Sequence, residues 1–213
     1  MGIAEAEDRS FFLGLPNTMG CNKQVILGYI KERIQKRVLR WEGWLLSKAG
    51  KEILLKTVVQ ALPNYAMSVF LLPLDMCKDM ERMMSKYWWK LSSTQSSGIS
   101  WMGWHRMCKH KSRSGMGFRN LRDFNIALLG KQGWRLLDGE ESLVSRIFKA
   151  HYYPKGFFLD AELGSNPSFI WQSVWEDQIS VKAEARRSIG TMAEVNIMQD
   201  HWLPDEENPY MIL

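Results

Sequence analysis

Leu27-Gly28-Tyr29-Ile30-Lys31-Glu32-Arg33-Ile34-Gln35-Lys36-Arg37-Val38-Leu39-Arg40-Trp41-Glu42-Gly43-Trp44-Leu45 is the stretch on which the fold class turns. Leu27, Ile30, Ile34, Val38, Trp41 and Leu45 recur at steps of three and four, the spacing that lines one side of a helix. Lys31, Arg33, Lys36, Arg37 and Arg40 run along the flank of that stripe. The pattern predicts a long helix that buries one side and offers ammonium and guanidinium groups beside it.

Downstream, the same rhythm continues. Ser47 is placed to cap a second helix whose buried face is Ile53, Leu54, Leu55, Val58, Val59 and Leu62. Pro63 stops it, and a short apolar helix over 65–72 ends before Pro73. A Met-rich helical pattern spans Asp75 to Lys90 and ends in Tyr87-Trp88-Trp89. Ser92-Ser93-Thr94-Gln95-Ser96-Ser97-Gly98 is a polar, low-complexity stretch and the best candidate boundary between two subdomains. Beyond it, 99–101 and 117–119 read as short extended pieces, and helices are predicted from Phe124 to Leu137, Ser142 to Tyr152 and Ser168 to Ile179. Upstream, 13–16 reads as the end of a strand, and the tail over 194–202 alternates like a strand. The fold class is therefore mainly α with a few short strands.

Composition is globular: 46% of the 213 residues are hydrophobic and 24% charged. The formal net charge of +5 is unevenly spread. Lys23 to Lys56 holds nine basic and three acidic residues, and His105 to Arg122 holds six Lys/Arg and no acid, so the rest of the chain is acidic. Two such blocks suit surfaces that face a polyanion, whereas a charged helix face by itself is commonly just solvated. Cys21, Cys77 and Cys108 are odd in number and far apart, which favours a reducing compartment. No secretory or transit signature opens the chain, and no stretch approaches 18 uninterrupted apolar residues, so a membrane partner is not expected.

The search for catalysis finds no glycine-rich phosphate loop, no Gly-x-Ser-x-Gly elbow and no adjacent aspartates. His105, Cys108 and His110 resemble part of a zinc site, but a fourth ligand is missing nearby; no metal and no cofactor are expected. The basic blocks are the stronger signal, because phosphate binding needs Lys and Arg on a rigid element and stacking needs aromatic faces. Trp41 and Trp44 accompany the first block, Trp101 and Trp104 the second. For each tryptophan, core packing competes with base stacking.

A series of phrases in a fixed order is more specific. It comprises Leu13-Gly14-Leu15-Pro16, Trp41 with Leu46-Ser47-Lys48-Ala49-Gly50-Lys51-Glu52, and Gln60-Ala61-Leu62-Pro63-Asn64-Tyr65-Ala66-Met67-Ser68. Tyr87-Trp88-Trp89, Ile99-Ser100-Trp101, Gly115-Met116-Gly117-Phe118-Arg119 and Phe124-Asn125 follow, then Trp134-Arg135-Leu136, Tyr152-Tyr153-Pro154, Pro167-Ser168-Phe169-Ile170-Trp171 and Trp202-Leu203-Pro204. Together these resemble the reverse transcriptase of plant-type non-LTR (LINE-like) retrotransposons and the short reverse-transcriptase-derived proteins of plant nuclear and mitochondrial genomes. The resemblance covers about residues 11–204.

That resemblance implies a position: 1–21 as the end of the polymerase palm and an entry segment, 22–91 as a thumb-like helical bundle, 92–98 as a linker and 99–213 as a connecting region. It places the family's catalytic Tyr-x-Asp-Asp upstream and its zinc-binding and ribonuclease H parts downstream, so no catalytic residue falls on this chain. Its implied partners are a nucleic-acid duplex (RNA–DNA or DNA) and the palm and ribonuclease H parts of the polyprotein; its implied compartment is nucleus or mitochondrion. The residues expected to contact phosphates are Lys31, Arg33, Lys36, Arg37 and Arg40 first, then Arg106, Lys109, Lys111 and Arg113. One departure is Ser114, which stands where the family usually has glycine. Three readings stay open: a piece of an enzyme that contributes grip, a stand-alone nucleic-acid-binding module, and a relic without function. The relic reading expects a former interface to be exposed at Leu13, Leu15, Met80, Met83 and Met84.

Overall fold

The computed structural model describes residues 11–12, 15–16, 23–41, 46–90, 99–138 and 142–185. It is mainly helical, as the periodicity predicts. A two-stranded antiparallel hairpin, β1 (Phe11–Phe12) and β2 (Leu15–Pro16), comes first, with Phe11 opposite Pro16 and Phe12 opposite Leu15. Nine α-helical segments follow among the described residues: α1 (Lys23–Trp41), α2 (Lys48–Leu54), α3 (Asn64–Met67), α4 (Leu74–Trp89), α5 (Trp104–Cys108), α6 (Leu121–Leu137), α7 (Leu143–Tyr152), α8 (Phe169–Trp175) and α9 (Gln178–Glu184). Two compact units, Met1–Leu129 and Gly130–Leu213, divide the chain. This division falls inside α6, whereas the break in composition lies at 92–98, a stretch outside the described residues.

In the first unit, Ile30, Ile34, Val38 and Trp41 of α1 are all buried. They face α4, whose Met76, Cys77, Met80, Met84, Tyr87 and Trp88 are buried in turn. The expectation of an exposed Met80–Met84 stripe is therefore overturned: Met80 and Met84 are fully covered, and Met83 is half-buried. Leu13 and the side chain of Leu15 lie outside the described residues, as do Trp44 and Leu45 and the side chain of Leu27.

Ser47 caps α2 by accepting from the Gly50 N–H at 3.2 Å. A single π-helical turn, Leu55–Val59, then extends it. Its buried positions, Lys51, Leu55 and Val59, are spaced by four. Ile53, expected on that face, sits between them on the opposite side and is 61% exposed. The helix expected over 65–72 shortens to α3 because a side chain captures its continuation. The Asn125 amide, fully buried, donates to the carbonyls of Met67 (2.7 Å) and Phe70 (3.0 Å) and accepts from the Leu72 N–H (2.8 Å). Arg122 adds a bond to the Leu72 carbonyl at 2.8 Å.

The extended pieces expected at 99–101 and 117–119 do not pair as strands among the described residues. Residues 115–118 instead fold back over the end of α5, where Met116 and Phe118 donate to the Met107 carbonyl and Gly117 donates to that of Lys109. A Cβ on Gly115 would lie 1.9 Å from the Lys109 carbonyl oxygen, so only glycine permits this return. Ser114, just before it, has φ +58°, a left-handed conformation that a non-glycine residue adopts at a cost.

In the second unit, Trp171 is completely buried and organises an aromatic cluster. Tyr152 stacks on it at 4.4 Å, and Phe148 meets it edge-on at 5.6 Å. Ser142 and Ser168 cap α7 and α8. The helix expected from Ser168 to Ile179 is two helices, α8 and α9, because the chain turns at Glu176–Asp177. There the Gln178 amide is drawn to the Phe158 and Ala161 carbonyls. Gly133 admits Val181 and Phe158 close to the α6 backbone, where an added Cβ would stand 3.0 Å and 3.3 Å from them. Among the described residues no helix is long and apolar enough to cross a membrane. The strand-like tail at 194–202 lies outside them.

Candidate nucleic-acid interface

The α1 stripe turns inward, and this determines where the α1 cations sit. Arg40 is exposed, Arg33 and Arg37 are half-buried, and Lys36 is exposed and paired with Glu32 at 2.6 Å, one turn before it. Lys31 bonds the Asp79 carboxylate of α4 at 2.6 Å and holds that carboxyl below its usual range. Lys31 is thus partly spent on packing α1 to α4, while Arg37 and Arg40 make no ion pair with a described residue.

The second group lies on α5 and a single 3-10 turn, Lys111–Arg113, neither of which the periodicity predicted. Arg106, Lys109 and Arg113 are exposed, and Lys111 reaches Glu52 of α2 at 3.2 Å. Glu52 also takes Lys56 at 2.7 Å, and these two lysines hold its carboxyl below the usual range, with Lys56 the larger influence. Different acids therefore tie the two groups of cations to the unit: Asp79 for α1, Glu52 for the α5 region.

Three lysines counted in the first charge block are turned to other uses. Lys48 donates to the Trp88 carbonyl at 2.6 Å and lies 5.0 Å from the Trp88 ring centroid. Lys51 donates to the carbonyls of Tyr87 and Lys90, and burial, reinforced by Lys48 and Lys90, lowers its pKa. Both therefore bring positive charge to carbonyls at the end of α4, where it is favoured. Lys56 donates to the Met116 carbonyl at 2.7 Å and sits 5.3 Å from the Phe118 ring centroid. Phe118 stacks on Trp104 at 5.0 Å and meets Trp88 edge-on at 5.4 Å. The Gly115–Arg119 phrase is thus a structural clasp.

Of the tryptophans beside the basic blocks, Trp41 is buried and Trp104 is packed against Phe118, while Trp101 is 79% exposed. The partial zinc set does not assemble: His110 turns its Nδ1 to the N–H and hydroxyl of Ser112, at 3.2 and 2.8 Å. Among the described residues no three His, Cys, Asp or Glu are grouped to hold a metal. Burial and nearby acids push the Cys77 thiol up to about 11 and the Cys108 thiol up to about 12, so neither is a ready nucleophile at neutral pH.

Sequence reasoning missed one concavity. A cavity of about 420 Å³ opens beside the start of α6, lined by His105, Lys109, Arg119, Asn120, Asp123 and Phe124 among others. Only Lys109 of these was expected at a binding surface; Arg119 and His105 fall within the acid-free block, which is the signal that pointed to them.

No protein-family profile and no solved structure matches the chain. An uncharacterized mitochondrial protein of Arabidopsis thaliana is 35% identical over 147 residues, covering 68% of this chain and 95% of that protein. A second Arabidopsis thaliana protein, named "putative ribonuclease H protein", is 27% identical over 181 residues, covering 83% of this chain. The chain spans only 29% of that second protein's length. Such relatives are typical of retrotransposon-derived plant proteins, and on the strength of the first the chain belongs to the family of the Arabidopsis thaliana mitochondrial protein.

Proposed function

We propose that this chain is a non-catalytic segment derived from a retrotransposon reverse transcriptase, and that its part is to hold a primer–template duplex through the phosphates. The observation that carries this reading is α1. Its apolar stripe is anchored in the core, so Arg33, Lys36, Arg37 and Arg40 ride on a rigid helix beside it. A duplex grip of this kind needs positive charge in fixed positions and no base reading, and its affinity comes largely from counterion release. Arg106, Lys109, Lys111 and Arg113 form the second contact, with Trp101 as an exposed ring beside them. The relative named as a ribonuclease H protein, of which this chain spans 29%, supports a role inside a longer polypeptide. Such a role takes the palm and ribonuclease H parts as partners.

The test is binding of the purified chain to a labelled RNA–DNA duplex across a salt series. We expect log affinity to fall linearly with log salt, and charge reversal of Arg33, Arg37 and Arg40 together to lower both affinity and the steepness of that line. Unchanged duplex affinity in the folded triple variant would sink the reading.

A second reading, a relic without function, loses part of what favoured it, since Met80 and Met84 are buried; Leu13 and the side chain of Leu15 lie outside the described residues. Among the exposed large apolar residues, Leu143, Val144 and Ile147 share one helix, α7. An exposed apolar helix face suits a segment that rests against another part of a longer protein as well as it suits decay.

A further inference from the structure

The cavity beside α6 shares Lys109 with the duplex grip and adds Arg119, Asp123 and Phe124, which that grip does not use. Its Lys109 and Arg119 make no ion pair with a described residue, in contrast to Lys31, Lys36, Lys56 and Lys111. Arg119 lies over the Phe124 ring, its guanidinium carbon 4.3 Å from the ring centroid, and is itself exposed. A guanidinium so held can take a flat aromatic ring on its outer side. Asp123 brings a carboxylate, an acceptor only, to the same cavity.

Other ligand classes fit poorly. The first-turn amides of α6 are already engaged: Leu121 N–H donates to Glu81 at 2.9 Å, and those of Arg122 and Asp123 donate to the Asn120 side chain at 3.0 and 3.3 Å. No backbone cradle for a bare anion is left there. A lone phosphate would meet Lys109 but use neither the Arg119–Phe124 pair nor the Asp123 carboxylate. A metal lacks its ligand group, and the Cys108 thiol in the lining is held protonated. A nucleotide uses what the others leave over: an anion for the lysine, a flat ring for the arginine and N–H donors for the carboxylate. The hollow of about 420 Å³ is open to solvent rather than enclosed, which suits one unit of a strand lying across it.

We propose that this cavity holds one unpaired nucleotide of a nucleic-acid strand. Its phosphate lies on Lys109 with His105 beside it, its base lies on the Arg119–Phe124 pair, and an amino group of the base donates to Asp123. The inference deepens the proposed function by naming a single-stranded subsite, and it rests on that reading only for the class of ligand.

The experiment is calorimetric titration of the full chain with guanosine 5′-monophosphate, inorganic phosphate and a guanine-containing single-stranded trinucleotide. The mononucleotide should bind at least about ten-fold tighter than phosphate, and the trinucleotide tighter again, because stacking and charged hydrogen bonds add to the phosphate contact. Lys109→Ala and Arg119→Ala should each weaken mononucleotide binding by about ten-fold. Lys109 is exposed and its side chain bonds no described residue, so K109A keeps the test alive if R119A loses packing against Phe124. Equal binding of phosphate and mononucleotide overturns the proposal, as does unchanged affinity in folded K109A. A trinucleotide no tighter than the mononucleotide overturns its strand clause. Loss of the subsite with duplex affinity intact sinks this inference alone, while loss of duplex grip with mononucleotide binding intact sinks only the earlier reading.

Discussion

Asn125 bears the heaviest structural duty of any single polar side chain among the described residues. It is fully buried and closes three hydrogen bonds with the backbone between Met67 and Leu72. Removing it takes three hydrogen bonds from the buried backbone of Met67–Leu72, each worth about 1 kcal/mol net and more where a partner is left unsatisfied. Asn125→Ala should therefore lower unfolding free energy by roughly 3 kcal/mol or more, read as a reduced urea midpoint at an unchanged slope. Ser114 offers the opposite case. It holds φ +58°, a left-handed conformation that glycine adopts without strain. Ser114→Gly should raise stability by up to about 1 kcal/mol, or ~2–4 °C in Tm, measured by thermal unfolding. Neither effect can be read from residue type alone, since nothing about an asparagine near the start of a helix or a serine in a turn announces a buried partner or a left-handed backbone.

At the scale of elements, the lysines of α2 show how a charge block divides between structure and surface. Lys51 is buried beneath the end of α4 and donates to its last carbonyls, and burial lowers its pKa from 10.5. Between that lowered value and 10.5 the folded chain has released a proton that the unfolded chain still holds. The unfolded state binds more protons there, so stability rises with pH across that window. Lys51→Met should reduce this rise, with Lys48, lowered by the same burial, supplying the remainder. Urea midpoints from pH 7 to 10.5 for the two proteins measure it; parallel curves would mean that Lys51 does not titrate differently on folding. The same element explains why the sequence misjudged Ile53. The periodicity placed it on the buried face, but the face is set by Lys51, Leu55 and Val59, and a lysine at a core position is invisible to an apolar count.

For the molecule as a whole, the salt slope of duplex binding is the quantity that sums both groups of cations. If α1 and the α5 region grip one duplex, the α1 triple variant removes only its own share of the slope, and the remainder belongs to Arg106, Lys109 and Arg113. Lys31, Lys36 and Lys111 already hold carboxylates at 2.6 to 3.2 Å, so they contribute less than their formal charge suggests. The count of free cations, rather than the formal charge of +5, therefore bounds how steep the line can be.

By itself the sequence determined the helical class, because apolar spacing of three and four is a property of local geometry. It placed α1, α4 and α6 and the Ser47 cap of α2, since a cap acts within three residues of its own position. It also identified both basic blocks. Only the tertiary structure decided which of those charges stay free, because a lysine is diverted by whichever carbonyl or carboxylate the fold brings to it. Tertiary contact likewise cut α3 short through Asn125, made 115–119 a clasp instead of a strand, and gathered Lys109, Arg119, Asp123 and Phe124 around one cavity. Each of these depends on residues brought together by folding, and no period or local propensity in the chain encodes that.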